Sequence, residues 1–275
     1  MRGNALGLKA QANELEINMS AQLTALITGA SAGLGEEFAR QLAAMGCNLI
    51  LVARRGERLQ LNAAHLQEQF QGIDVLCIEA DLRRTEAPEQ VYTAVRERGW
   101  QVDYLVNNAG ASGPDFFGDQ AWSDHLAYLR LMQTSVAELC HCFIPAMVGR
   151  GFGRVINVSS ALGRIALANN CHYGPTKAYV IALSEALGLS VKNHGVHVTA
   201  LCPGLTHTDF HATAGLDDLK QSTPSFIWYS AETVVREGLR AVEKGRLVCV
   251  SGRFYRWLDP LLQSVWTRWM FLRAG

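Results

Sequence analysis

Residues 23–46 read LTALITGASAGLGEEFARQLAAMG. The first seven form a β-rich apolar run that closes on a glycine. In the last eleven, Phe38, Ala39, Leu42, Ala43 and Met45 recur at roughly helical period. Between them lies TGASAGLG, residues 28–35, so the order is strand, glycine turn, helix. Gly29, Gly33 and Gly35 let the backbone turn tightly and approach a pyrophosphate over the helix N-terminus, where free N–H groups and the dipole favour anions. Ser31 and Leu34 sit inside that turn. Such a turn is weak evidence by itself, and its weight comes from the segments downstream.

Going outward, residues 47–53, CNLILVA, form a second apolar strand that ends in Arg54 and Arg55. An NAD site would carry Asp or Glu at this point for the ribose 2′-hydroxyl, whereas a 2′-phosphate calls for arginine. No acid occurs from 47 to 55, so NADP is expected before NAD. The plainer alternative is that one arginine only opens the helix at 57–70, although a helix N-terminus disfavours a cation. A third strand, 75–80, runs into Asp81 and Leu82, and a helix at 87–98 leads to a fourth at 104–106, followed by NNAG at 107–110. Strands and helices alternating in this way predict an α/β fold: a Rossmann-like, doubly wound parallel sheet with helices on both faces and ligands at the carboxyl ends of the strands. Asp81 and Asn108 stand at such ends, though Asp81 serves equally well as a helix cap.

A second pattern occupies residues 159–177, SSALGRIALANNCHYGPTK. On a helix Tyr173 and Lys177 share a face. The spacing places a cation one turn from a phenol, which is expected to lower its pKa towards neutrality for acid/base work. Ser160 follows an apolar strand at 154–158, so its hydroxyl is expected to meet the tyrosine's across a substrate oxygen. Taken alone, YxxxK matches many exposed helical pairs. Downstream of TGxxxGxG it points to reduction of a carbonyl or oxidation of an alcohol.

Together TGASAGLG, Asp81, NNAG, Ser160, Tyr173, Lys177 and the PG of Pro203 and Gly204 resemble the short-chain dehydrogenase/reductase family over residues 23 to at least 252. The resemblance implies a seven-stranded sheet, with Ser160 polarising the substrate oxygen and Tyr173 as general acid/base. It implies that Lys177 holds the nicotinamide ribose and tunes the tyrosine, and that Asn107 braces the central strands. Cofactor contacts are implied for Gly29, Ser31, Gly33, Leu34, Gly35, Asp81, Leu82, Asn108, Ala109 and Gly110, and at the nicotinamide end for Pro203, Gly204 and Thr208. One departure stands out: Met132 occupies the position of an asparagine that supports a proton-relay water in many members. The alternative function is therefore an NADP-binding regulatory or scaffold protein that kept the fold and lost turnover.

The chain has 275 residues, 49% hydrophobic and 18% charged, enough for one large catalytic domain over 19–275. Residues 1–18 lack the apolar core of a signal peptide or membrane span and read as a flexible extension. Zero net charge and a pI near 7.1 give no footprint for nucleic acid. The seven cysteines mostly sit in apolar runs and read as reduced thiols of a cytoplasmic protein, with no metal site. Leu139, Phe143 and Met147 are expected to pack in the core, and His141 beside Cys140 to be a core histidine. The loop at 205–230, with His207, Phe210, His211, Phe226, Trp228 and Tyr229, is expected to cover a lipophilic or aromatic substrate beside Phe116, Phe117 and Ile165. The resemblance implies that helices at 119–149 and 173–193 form the interface of a homodimer or homotetramer. The amphipathic tail at 253–275, with Trp257, Trp266 and Trp269 among arginines, packs on the domain or a partner in the plainer reading and lies on a membrane surface in the sharper one.

Overall fold

The computed structural model describes residues 22–168, 170–208 and 223–267. The expected N-terminal extension, Phe210 and His211 of the substrate loop, and Trp269 lie outside these residues.

β1 (Thr24–Thr28) is buried along its whole length. Its alternate residues serve two cores: Ala25 and Ile27 join one cluster and Leu26 the other. β2 (Asn48–Ala53) divides in the same way, Leu49 and Leu51 to one side, Ile50 and Val52 to the other. Side chains alternate across a strand, so a strand apolar on both faces must lie inside a sheet covered on both sides. The first layer consists of α1 (Gly33–Ala44), α2 (Gly56–Gln69) and α7 (Ala231–Glu243). They contribute Phe38, Leu42, Leu59, Val234 and Val242, each worth about 1.5–3 kcal/mol when fully buried. The second layer consists of α3 (Ala87–Glu97), α4 (Trp122–Leu129), α5 (Ser135–Arg150) and α6 (Tyr173–Val191).

The remaining strands are β3 (Val75–Glu79), β4 (Tyr104–Asn107), β5 (Gly153–Val158), β6 (Val196–Cys202), β7 (Thr206–His207), β8 (Tyr229–Ser230) and β9 (Val248–Val250). The main sheet has seven strands in the order β3-β2-β1-β4-β5-β6-β9, all parallel, and β7 pairs with β8 apart from it. The chain builds outward from β1 in one direction and then restarts at β4 in the other. A crevice therefore opens at the carboxyl ends of β1 and β4, where such folds bind ligands. The seven-stranded, doubly wound expectation holds, with element ends shifted by a few residues.

Helix Trp122–Arg150 is continuous, and by length and composition it is long and apolar enough to cross a membrane. Leu139, Phe143 and Met147 are buried as expected, so its hydropathy is that of a core helix. His141 departs from expectation. It faces outward and is exposed, because Leu139, Cys140 and Phe143 already occupy the inward face. Between α4 and α5, residues Arg130–Thr134 widen into a π turn in which the Ser135 N–H reaches the Arg130 carbonyl. A final helix, α8 (Arg253–Gln263), closes the described chain.

Candidate active site

Ser160 leaves β5 in extended conformation and caps the short 3-10 turn after it, accepting a hydrogen bond from the Leu162 N–H at 3.1 Å. Its hydroxyl lies beside the Tyr173 phenol, near enough to act on its titration, and that phenol projects from the first turn of α6. Lys177, one turn on, is buried, with its Nζ 5.7 Å from the Tyr173 ring, and donates to the Val158 carbonyl at 2.8 Å. The Ser159 hydroxyl donates to the Lys177 carbonyl at 2.7 Å, pinning α6 to the end of β5. Serine, tyrosine and lysine thus meet as the spacing predicts.

The electrostatics differ from expectation. Burial raises the Tyr173 pKa, since the phenolate would lose its water, and the Ser160 hydroxyl opposes this only in part. Burial lowers Lys177 to about 8. Desolvation, acting on both groups, outweighs the attraction expected to bring the phenol down.

The glycine turn packs closely against the end of β4. Asn108 donates from Nδ2 to the carbonyls of Thr28 (2.9 Å) and Gly29 (3.3 Å), and the N–H groups of Asn108 and Ala109 both reach Thr28 Oγ1 (2.9 and 3.0 Å). A Cβ at Gly35 would drive into the Gly29 carbonyl, so only glycine lets α1 start this close to the turn. Gly33 has φ +62, in the left-handed region, and the nearest atom to a Cβ built there is Thr208 Cβ at 3.4 Å. Thr208 of the PGLTHT segment therefore lies beside the glycine turn. Pro203 accepts from the Ala161 N–H at 2.8 Å, which ties that segment to the Ser160 loop. Gly204 is covered by the Tyr255 ring, whose hydroxyl accepts from the Leu205 N–H at 3.1 Å.

At the ends of β2 and β3, Arg55 Nη2 donates to Ser31 Oγ at 3.0 Å, across the glycine turn. Arg54 is exposed and faces Asp81. Asp81 forms a two-pronged pair with Arg83 (2.6–3.0 Å) and also caps the next turn through the Arg83 N–H. The Arg83 hydrogen bonds hold the Asp81 carboxyl below its ordinary range. Leu34 and Leu82 turn into the two cores, so their side chains pack, and Gly110 lies against the Met132 thioether. A glycine cradle at a helix N-terminus, with arginines instead of an acid after β2, fits a dinucleotide carrying a 2′-phosphate.

Three sets of contacts needed the fold to be seen, the first of them the brace implied for Asn107. Asn107 donates to Asn157 (2.8 Å), and Asn157 to Ser184 (2.9 Å), a buried chain linking β4, β5 and α6. His125 Nδ1 and His172 Nε2 are 2.6 Å apart, both buried, under the Phe116 ring. Burial, then the neighbouring His125, lowers the His172 pKa. Arg83 was visible in the run DLRR at 81–84, but its pairing required the fold.

Comparison with known proteins agrees with this geometry. The sequence profile of the short chain dehydrogenase family matches residues 23–218. The chain is 30% identical over 253 residues to the very-long-chain 3-oxoacyl-CoA reductase of Anas platyrhynchos, covering 87% of this chain and 76% of that one. It resembles the structure of a short-chain dehydrogenase from Sphingobium yanoikuyae in complex with NADPH, at 31% identity and TM-score 0.75, covering 92% of both chains. A bulky-bulky ketone specific alcohol dehydrogenase from Comamonas testosteroni gives 28% identity and TM-score 0.72, with 92% of this chain and 91% of that one covered. With the profile spanning most of a chain whose sheet, glycine turn and hydroxyl pair already agree, this protein belongs to the short-chain dehydrogenase family, oxidoreductases that interconvert CH–OH and C=O groups.

Proposed function

We propose that the protein is an NADPH-dependent reductase of a lipophilic ketone or aldehyde, able to run towards alcohol oxidation, with Tyr173 as general acid and base. The observation that carries this reading is the Ser160–Tyr173 hydroxyl pair beside buried Lys177, at the carboxyl end of β5 and next to the sheet's switch point. NADPH, when bound, supplies the hydride. Ser160 and Tyr173 provide two hydroxyl donors for a carbonyl oxygen that gains negative charge. Because burial keeps the phenol protonated near neutral pH, Tyr173 is ready to donate from Oη. With a pKa of about 8, Lys177 is mostly protonated at pH 7 yet close enough to titration to return a proton to the phenol. Gly29, Gly33, Gly35, Asn108 and Thr208 would hold the pyrophosphate and nicotinamide ends, and Arg54, Arg55 and Arg83 the 2′-phosphate. Phe116 and Phe117 leave apolar ring surface exposed that would, with Ile165, wall a substrate pocket, and the carbonyl substrates named for the Anas and Comamonas relatives support a lipophilic substrate. Tyr179 and Leu189, exposed on α6, support self-association through that helix, which sedimentation tests.

The deciding experiment is NADPH oxidation over a panel of ketones and aldehydes, by the native protein and by Tyr173→Phe, with nucleotide binding measured by calorimetry. Tyr173→Phe should lose at least about a hundredfold in turnover, the low end for a positioned acid/base, while binding NADPH nearly as well. Retention of more than that rate would remove the phenol from the mechanism. In the same titrations NADPH should outbind NADH, and Arg54→Ala with Arg55→Ala should cost about 1.5–3 kcal/mol of NADPH affinity while barely changing NADH. Equal affinities would end the NADP assignment.

A further inference from the structure

We propose that the outer face of α8 is a docking surface for an anionic lipid bilayer. The inner side of α8 is bound to the rest of the protein. Leu262 is buried, Asp259 takes a two-pronged ion pair from Arg164 at 2.7 and 2.8 Å, and the Gln263 amide donates to the Arg164 carbonyl at 2.5 Å. The Phe254 N–H donates to the Tyr229 hydroxyl at 3.1 Å, and Tyr255 covers Gly204.

The outer side carries Arg253, Arg256, Trp257 and Pro260, all exposed, at spacings that place them on one face of a helix. Trp257 is 70% exposed, and the turn after α8 presents Val265 at 82% and Trp266 at 83%. Phe226 is 66% exposed and lies edge-on to Phe254 at 5.8 Å. Arg256 shares its charge with Glu237 at 2.9 Å, and Arg253 is the second arginine of the strip.

Charge selects the occupant. From 253 to the end the sequence has four arginines and one acid, Asp259, which is turned inward onto Arg164, while the whole chain is neutral. A second copy of this face would set arginine strips against each other. An anionic lipid surface complements them, and exposed tryptophans flanked by arginines are the composition of helices that lie in the bilayer interface. Residues 268–275, RWMFLRAG, continue the same composition in the sequence. Because α8 abuts Gly204 and the Ser160–Arg164 loop, docking would bring the mouth of the site to the lipid. That last consequence rests on the lipophilic substrate proposed above, whereas the docking itself does not.

The test is flotation of the full chain with vesicles of phosphatidylcholine plus phosphatidylglycerol, and with phosphatidylcholine alone. The protein should float with the anionic vesicles, weakly with the neutral ones, and salt should release it. Trp257→Ser with Trp266→Ser should lower the partition coefficient about tenfold or more, with circular dichroism and NADPH affinity unchanged, since both residues are exposed. No flotation by the native protein would overturn the proposal, as would flotation undiminished in the variant. So would a native protein that stays in solution as an oligomer which the same variant dissociates, because a second copy would then cover the face. Turnover measured without vesicles reports separately on the proposed reaction.

Discussion

Burial removes water from Lys177 and Tyr173 alike and moves their pKa values in opposite senses, because one is charged when protonated and the other when deprotonated. For Lys177 the folded value, about 8, lies below the ordinary 10.5. The unfolded chain therefore holds more protons between those values, and this group's contribution to stability rises with pH across that window and is at its most unfavourable below pH 8. Lys177→Met should accordingly stabilise the nucleotide-free protein at pH 7. The gain is the relieved penalty of about 3 kcal/mol less about 1 kcal/mol for the lost bond to Val158. The advantage should shrink towards pH 10, and NADPH binding and turnover should suffer. Urea melts of both proteins at pH 7 and near pH 10 check the sign, and a Lys177→Met protein less stable at pH 7 would show that the ammonium is better paired than its surroundings suggest. Ser160, Tyr173 and Lys177 are legible in the sequence because their partnership comes from helical spacing and the end of one strand. The direction of the pKa shifts is not, since it depends on how many atoms exclude water around them. Nor is the His125–His172 contact, which joins residues 47 positions apart with no pattern between them.

Among the elements, the π turn at Arg130–Thr134 holds Met132, the residue that stands where the resemblance implies an asparagine. Met132 is 1% exposed, and its sulfur lies 3.5 Å from where a Cβ on Gly110 would stand, so the thioether fills the space between the long helix and the end of β4. If proton resupply limits the rate, Met132→Asn should raise kcat about ten- to a hundredfold, the effect of about 1–3 kcal/mol from one restored polar contact. It should also lower thermal stability by about 2–4 kcal/mol, because a fully buried thioether is exchanged for a smaller amide. Steady-state rates and thermal melts on one preparation decide both parts, and an unchanged kcat would clear Met132 of limiting turnover. The helices themselves were legible from periodicity. The misplaced residue was His141: the run ELCHCF is apolar around it, and only the rotation of α5 against the sheet tells which side of the helix it occupies.

Across the whole molecule, the doubly wound parallel sheet followed from alternating strands and helices, whereas the depth of the site came from loops brought together from four distant parts of the chain. β1 and β4 are neighbours, yet the bonds that join their ends, such as Asn108 to Thr28, link residues 80 positions apart. That junction is a seam between two sub-sheets, each wound locally, and the cradle for the dinucleotide lies across it. A nucleotide seated there is a clasp on both halves at once. At about a hundred times its Kd it should add about 2.7 kcal/mol to global stability. Hydrogen exchange should then slow most at the amides of Ile27 and Val106, which face each other over the seam. If protection rises only around the glycine turn and not in β4, the halves are already locked without the nucleotide. If it rises in both, the protein's lifetime against unfolding and proteolysis is set by the supply of its reductant, and depletion of the nucleotide would remove the enzyme along with its activity.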